Sequence, residues 1–162
     1  MDQWRSPVTA NSPAHRKLIH HNRSLSELAV QLKRSFLQYL AYTSPYIPPE
    51  AHSIWRTLGQ LAETQLSHAE SILDLLSDRR FVALDSAFPM EFATHHYVSL
   101  NYLLGPLCLD QQQRASLARQ AAHELMDDVE ARSLLERIAS GEVLISQEIE
   151  KLQQGIAQNQ RR

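Results

Sequence analysis

The feature that most constrains this chain is a long apolar repeat near its carboxyl end. From residue 129 to residue 158, the positions that would face a core alternate at spacings of four and three residues. This alternation is typical of an α-helix with one buried face. Only Glu142, at the middle, interrupts the apolar character. The repeat comprises Ala131, Leu135, Ile138, Glu142, Ile145, Ile149, Leu152 and Ile156.

Similar spacings predict two helices in the first half of the chain. The first begins at Pro13 with Ser12 as its N-cap, and it ends at segment 43–50, where three prolines in five positions cannot continue a helix. The second runs from about Pro49 to Ser77. The first has a stripe of Leu18, Leu25, Leu28, Leu32, Phe36 and Tyr39, and the second has Ile54, Leu58, Leu61, Gln65, His68, Ile72 and Leu75.

A third helix is predicted on either side of Gly105-Pro106, where a kink or break is expected. A short turn at Asp127-Asp128 separates it from the fourth helix, which runs from Val129 to about Gln158. The core positions of the third helix are Tyr97, Leu100 and Leu104 in its first half and Leu117, Ala118, Ala121 and Leu125 in its second.

The four predicted helices define an architecture through the lengths of their connections. The first and last connections are short, whereas SDRRFVALDSAFPMEF, residues 77–92, is long enough to be a crossover. The second and third helices should therefore run parallel. We expect an all-α, antiparallel four-helix bundle with one long crossover, formed by a single domain over residues 1–162. Residues 1–11 and 159–162 are expected to be frayed.

Composition excludes several classes of function. The net charge is −2 and the sequence pI is about 6.4, so there is no basic field for nucleic acid. No apolar run reaches the ~20 residues of a membrane span. The single cysteine, Cys108, excludes an internal disulfide. Because the amino-terminal segment lacks the apolar middle of a signal peptide, we expect a cytoplasmic protein.

Three polar residues fall on the predicted core stripes near the middle of their helices. Gln65 and His68 lie one turn apart on the second helix, and Glu142 lies on the fourth. A buried polar group without a partner costs about 1–3 kcal/mol. Mid-helix positions in a bundle lie at similar heights, so these groups are expected to meet. Either a metal or a hydrogen-bond network could satisfy them.

Three segments resemble the ferritin-like di-iron proteins of the bacterioferritin and rubrerythrin group. QLSHAESILDLL, residues 65–76, is similar to the second-helix motif, in which a Glu stands three residues before a His. LQYLAY, residues 37–42, resembles a segment of the first helix, and ARSLLERIASGEVLISQEIEKL, residues 131–152, resembles the fourth. The resemblance covers about residues 25 to 157, and it implies the ferritin-like fold.

The resemblance also implies positions for the metal ligands, and few of the expected residues are present. His68 and Glu142 match, whereas Gln65 stands where a Glu is expected. The bridging Glu of the third helix would fall near Leu109, with Cys108, Asp110 and Gln111 as neighbours. The positions of the first-helix Glu and the fourth-helix His hold Leu32 and Ile145.

Charge balance then suggests that the di-iron centre is lost. Two iron ions bring four to six positive charges into a low-dielectric core, and four carboxylates normally neutralise them. We therefore expect no cofactor and a non-catalytic binding or interaction module. The vestigial-site positions are Gln65, His68, Asp110 and Glu142, and among them Glu142 is expected to accept hydrogen bonds from His68 and Gln65. The alternative is a metalloprotein with a single iron or zinc at His68 and Glu142, completed by Asp110 or water.

Two kinds of partner remain open. One is a second copy of the chain, because the resemblance implies pairing along the first two helices. The other is a small molecule in the bundle core, in space opened by the absent metals.

The remaining chemical groups have simpler interpretations. Adjacent histidines in a helix point about 100° apart and cannot chelate together, so His20-His21 and His95-His96 are expected at the surface or at caps. His123 and Asp127 have the spacing of a helix-terminal pair. Cys108 is expected to be a packed thiol. Tyr39, Tyr42, Tyr46 and Trp55 are expected to cover one end of the bundle, with a partner surface as a secondary interpretation.

Overall fold

The computed structural model describes residues 12–159, and this part of the chain is all-helical and bundle-like, with no β-strand. Two short 3₁₀ helices span Pro49–Ala51 and Met90–His95. No helix among these residues is long and apolar enough to cross a membrane. The predicted fraying of 1–11 and 159–162 lies outside the described residues except at Asn159, which is the last residue of a helix. The α-helices are α1 Pro13–Lys33, α2 Phe36–Thr43, α3 His52–Asp78, α4 Leu100–Glu124 and α5 Val129–Asn159.

The first predicted helix is in fact two helices, α1 and α2, because Ser35 starts a new one. Its hydroxyl accepts a hydrogen bond from the backbone N–H of Gln38 at 3.3 Å, which makes it the N-cap of α2. The carboxylate of Asp110 accepts the N–H of Phe36 at 2.9 Å. These two acceptors satisfy backbone N–H donors in the first turn of α2, which have no partners within that helix.

The predicted boundaries elsewhere are largely confirmed. Ser12 caps α1 by accepting the N–H of His15 at 3.2 Å, and α2 ends at Thr43. A kink or break was expected at Gly105-Pro106, and the break is wrong, since α4 continues as one helix through Pro106. Pro106 is exposed, so water can solvate the carbonyl of Tyr102 that the missing proline N–H leaves unpaired.

The core consists of two apolar clusters, and the side chains of most predicted stripe positions lie in them. The residues of one cluster lie within 25–32, 69–76, 118–125 and 131–139. Those of the other lie within 36–40, 51–62, 92–108 and 145–149. Each long helical segment contributes one range to each cluster, and polar residues lie between its two ranges. Two predicted core positions are wrong: Leu18 is 44% exposed, and Tyr97, which precedes α4, is fully exposed.

Neighbouring helices contact one another in antiparallel pairs. Along each pair, a residue early in one helix contacts a residue late in the other. α4 and α5 are joined by the short turn 125–128. The α1–α2 segment runs antiparallel to α3, through Asn22 with Arg79 and Gln38 with Ala62. It also runs antiparallel to α4, through Gln31 with Arg114 and Phe36 with Asp110. α3 runs antiparallel to α5, through Gln65 with Glu142 and Arg79 with Asp128.

One end of the bundle is held by an ion pair between Arg79, at the end of α3, and Asp128, which precedes α5. The guanidinium donates two hydrogen bonds to the carboxylate, at 2.7 and 2.8 Å, and a third to Asn22 of α1 at 3.1 Å. Asp128 also accepts the N–H of Ala131 at 3.1 Å, so it caps α5. The hydrogen bond from Arg79 lowers the pKa of Asp128.

The connection between α3 and α4 lies along α1 and α2. The N–H of Leu84 donates to the hydroxyl of Ser26 at 2.6 Å, and Arg34 donates to the carboxylate of Asp85 at 3.0 Å. Further along, the hydroxyl of Tyr39 lies 2.8 Å from Nε2 of His96. These contacts attach the connection to the bundle on both sides of the α1–α2 break.

Candidate functional site

The candidate site is a polar layer between the two apolar clusters, formed by Ser35, Gln65, Gln111 and Glu142. Each of these residues is fully buried, with 0% exposure. They come from the α1–α2 break, α3, α4 and α5, so every long segment of the bundle contributes one. His68, one turn after Gln65, lies at the edge of the layer, and its side chain is 18% exposed. We call these five residues the polar layer.

Both oxygens of the Glu142 carboxylate are occupied by N–H donors. Oε1 lies 2.7 Å from Nδ1 of His68. Oε2 accepts from the side-chain amide of Gln65 at 2.9 Å and from that of Gln111 at 2.7 Å. An ionised carboxylate can only accept hydrogen bonds. When the proton of the His68 ring is on Nδ1, all three groups that contact the carboxylate of Glu142 are donors. Glu142 is thus fully satisfied without a metal ion.

The amide orientations follow from a chain of contacts that starts at the backbone. The carbonyl of Ala62 accepts from Nε2 of Gln38 at 2.7 Å, which fixes that amide. Nε2 of Gln38 at 3.3 Å and the Ser35 hydroxyl at 2.6 Å then donate to Oε1 of Gln65. Nε2 of Gln65 must therefore face Oε1 of Gln111, at 2.9 Å, and Glu142. Turning any one amide over would place like groups in contact.

Glycine makes room for the imidazole of His68. A Cβ at Gly141 would lie 2.5 Å from Cε1 and 2.8 Å from Nε2 of that ring, closer than real Cβ contacts come. The ring therefore packs on the backbone of α5 next to Glu142, and only glycine at position 141 leaves the space for it.

The structure brings together three of the four vestigial positions and leaves out Asp110. Gln65, His68 and Glu142 meet as expected. Asp110 instead accepts two hydrogen bonds from the buried Arg114, at 2.7 and 3.4 Å, and caps α2 through Phe36. This carboxylate balances Arg114, and its hydrogen bonds go to Arg114 and Phe36 rather than to Gln65, His68 or Glu142.

Of the candidates near the third-helix position, Leu109 is 69% exposed and lies outside the layer. Its neighbour Gln111 is fully buried and occupies the layer. Leu32 and Ile145 are buried in the apolar clusters on either side of the layer.

Ser35 was missed by the sequence analysis, although a signal for it exists. Ser35-Phe36-Leu37-Gln38 has the Ser-x-x-Gln pattern of a capping box, which marks a helix start. The side chain of Gln38 does not complete that motif, because its amide donates to the Ala62 carbonyl and to Gln65 of the polar layer instead.

The other histidines behave differently from one another. His20 is exposed as expected, but His21 is buried, with Nδ1 3.4 Å from a carboxylate oxygen of Asp128. His95 is half-buried and packs against Phe36, with ring centroids 5.1 Å apart. Asp127 pairs with Lys17 rather than with His123.

Cys108 is a packed thiol, and burial raises its pKa. In the predicted aromatic group, Tyr39 is buried, Trp55 is half-buried, and Tyr42 and Tyr46 are 80% and 68% exposed. Tyr42 and Tyr46 are therefore free to contact other molecules.

The donor set of the polar layer does not fit a di-iron group. It offers one carboxylate, two neutral amides, a hydroxyl and an imidazole, whereas two iron ions need several carboxylates. Within residues 12–159, no three His, Cys, Asp or Glu side chains are grouped so as to hold a metal ion. The comparisons with protein-family models, curated proteins and solved structures found no match.

Proposed function

We propose that the chain is a ferritin-like bundle whose metal centre has been replaced by hydrogen bonds, and that it acts by binding another molecule rather than by redox catalysis. The observation that carries this proposal is the saturation of Glu142. Its two oxygens are engaged by donors from His68, Gln65 and Gln111. A metal ion could reach this carboxylate only by displacing those donors.

The directions of the helices support the ferritin-like part of the proposal. α3 and α4 each run antiparallel to α1, through Asn22 with Arg79 and Gln31 with Arg114. Two helices antiparallel to the same third helix run parallel to each other, so the connection 79–99 must cross the length of the bundle. A long crossover between the second and third long helices is the ferritin-like connectivity. The polar layer also lies at mid-height, where that family holds its metals.

Exposed aromatic side chains support the binding role. Tyr46 and Ser99 are paired through their backbones, which brings the α2–α3 loop next to the start of α4. Tyrosine is enriched at protein interfaces, because it offers a large apolar ring with a polar tip at little entropic cost. The tyrosines near this junction are Tyr42, Tyr46, Tyr97 and Tyr102, with exposures from 68% to 101%.

The proposal also includes a cellular location and an oligomeric state. A cytoplasmic location agrees with a lone buried thiol at Cys108, since disulfides are rare in reducing compartments. A homodimer is the second, and light scattering would test it.

The competing function is that of a metalloprotein with one iron or zinc at His68 and Glu142. The contact between these two side chains favours it, since they are the matching pair of family ligands. Asp110 forms a salt bridge with Arg114, so water would have to complete the coordination of a metal ion at His68 and Glu142.

Reconstitution with iron and zinc separates the two functions. The purified chain is incubated with Fe(II) without oxygen, or with Zn(II), then desalted and analysed for metal. We expect substoichiometric metal and no rise in the melting temperature. About one tightly bound ion per chain, lost in the variant His68→Ala, would instead establish the metalloprotein.

A further inference from the structure

A groove on the surface lies between the α1–α2 junction, α2, α3 and residues 87–88 of the connection. Its volume is about 520 Å³, which is within the usual range for small-molecule sites. It adjoins the polar layer, because the amide of Gln38, which lines the groove, donates to Gln65. The side chains that define it are Lys33, Arg34, Gln38, Tyr42, Leu66 and Phe88.

The aromatic wall of the groove is held in place by its neighbours. The rings of Tyr42 and Phe88 stack, with centroids 6.0 Å apart and planes at 30°. The guanidinium of Arg34 lies 5.1 Å from the centroid of Phe88 and donates to the carbonyl of Ser86 and to Asp85. Phe88 therefore needs little ordering when a ligand binds, which favours affinity.

The groove has a net positive charge and an unused acceptor. Asp85 pairs with Arg34, and no salt bridge within residues 12–159 includes Lys33. The amide nitrogen of Gln38 donates to Ala62 and Gln65, so its carbonyl oxygen is left to accept. The groove thus combines an ammonium group, a carbonyl acceptor and an aromatic surface.

We propose that this groove binds a small planar aromatic carboxylate that also carries an N–H donor. The carboxylate lies beside the ammonium of Lys33, the N–H donates to Oε1 of Gln38, and the ring packs against Tyr42 and Leu66. This inference deepens the proposed binding role and rests on it, but it does not depend on whether the core holds metal.

Titration with three related indoles, followed by two-dimensional NMR of the ¹⁵N-labelled chain, tests the proposal. Indole-3-acetate is the probe, tryptamine places a cation on the same ring, and indole has no charge. We expect indole-3-acetate to bind with a dissociation constant on the order of 1 mM or tighter and to shift the side-chain amide of Gln38. Tryptamine should bind at least about fivefold more weakly.

Variants distinguish this groove from other surfaces. Lys33→Gln and Tyr42→Ala should each weaken binding of indole-3-acetate by about three- to tenfold. Lys17→Gln, a matched change on the same helix that removes the partner of Asp127, should leave it unchanged. Equal binding of tryptamine, shifts confined to other surfaces, or no shifts up to about 10 mM would overturn the proposal. Metal analysis of the same sample tests the proposed function separately.

Discussion

The imidazole of His68 packs directly on Gly141, so that a methyl group at position 141 would lie 2.5 Å from Cε1 of the ring. The same imidazole hydrogen-bonds the buried carboxylate of Glu142 at 2.7 Å. A glycine in the interior of a helix normally weakens it by about 1 kcal/mol relative to alanine. Here the absence of a side chain is what allows His68 to satisfy Glu142.

Gly141→Ala should therefore destabilise the protein, although the same change stabilises most helices. The methyl group displaces His68 and removes a donor from Glu142, which costs about 1–3 kcal/mol and outweighs the gain in helix propensity. Gly59→Ala is the matched control, since a Cβ there meets nothing within 4 Å. Urea unfolding should show Gly59→Ala stabilised and Gly141→Ala destabilised. Equal stabilisation of both would contradict the packing described for His68.

Gln65→Glu should destabilise the protein by about 2–4 kcal/mol near neutral pH, because it replaces a donor to Glu142 with a second buried carboxylate. The loss should shrink as the pH falls from about 7 to 5, since one proton shared by the two carboxylates restores a hydrogen bond. Gln112→Glu is the control: Gln112 makes a similar bond to Glu150, at 2.7 Å, on the surface. Denaturation at both pH values should show the pH effect only for Gln65→Glu; the same pH effect in both variants would show that burial plays no part.

Asp110→Ala should cost about 3 kcal/mol, because it leaves the buried guanidinium of Arg114 without its counter-charge and Phe36 without an acceptor. Asp110→Asn keeps an acceptor for the Phe36 N–H and should cost less. Chemical denaturation of the two variants measures the difference. Losses below about 0.5 kcal/mol in both would mean that Asp110 does not stabilise the α1–α2 break.

The ion pair of Arg79 with Asp128 should make stability depend on pH in the acid range. The pKa of Asp128 is lowered in the folded state, so its contribution is complete above the unfolded value near 4 and is lost as the pH falls through the folded value. Arg79→Met should remove much of this contribution at pH 6 and flatten the decline below pH 4. Lys17→Met, which affects the exposed Asp127, should change the profile little. Parallel profiles for the wild type and Arg79→Met would refute the assignment.

Much of the fold could be predicted from the sequence because long helices have strong periodic signals. The α5 stripe from Ala131 to Ile149 is buried as the spacing indicated, with Glu142 at its centre. The meeting of Gln65, His68 and Glu142 also followed from their height in the bundle. These features depend on local periodicity and on the geometry of packed helices.

The errors arose where tertiary contacts override local propensity. The Ser-x-x-Gln pattern signals the helix start at Ser35, whereas the acceptor for the Phe36 N–H comes from Asp110, a residue far away in the sequence. Pro106 lies on the exposed face of α4, where the helix can continue, and the sequence alone does not show that placement. Which of Leu109, Asp110 and Gln111 faces the layer is set by the packing of α4 against the other helices, so counting alone could not separate them.

The central claim is that hydrogen bonds, and not metal ions, satisfy Glu142, and metal analysis of anaerobically reconstituted protein tests it most directly. We predict substoichiometric iron after desalting, with an unfolding midpoint unchanged by Fe(II). About two irons per chain, with the absorption of an oxo-bridged pair after exposure to oxygen, would contradict the claim.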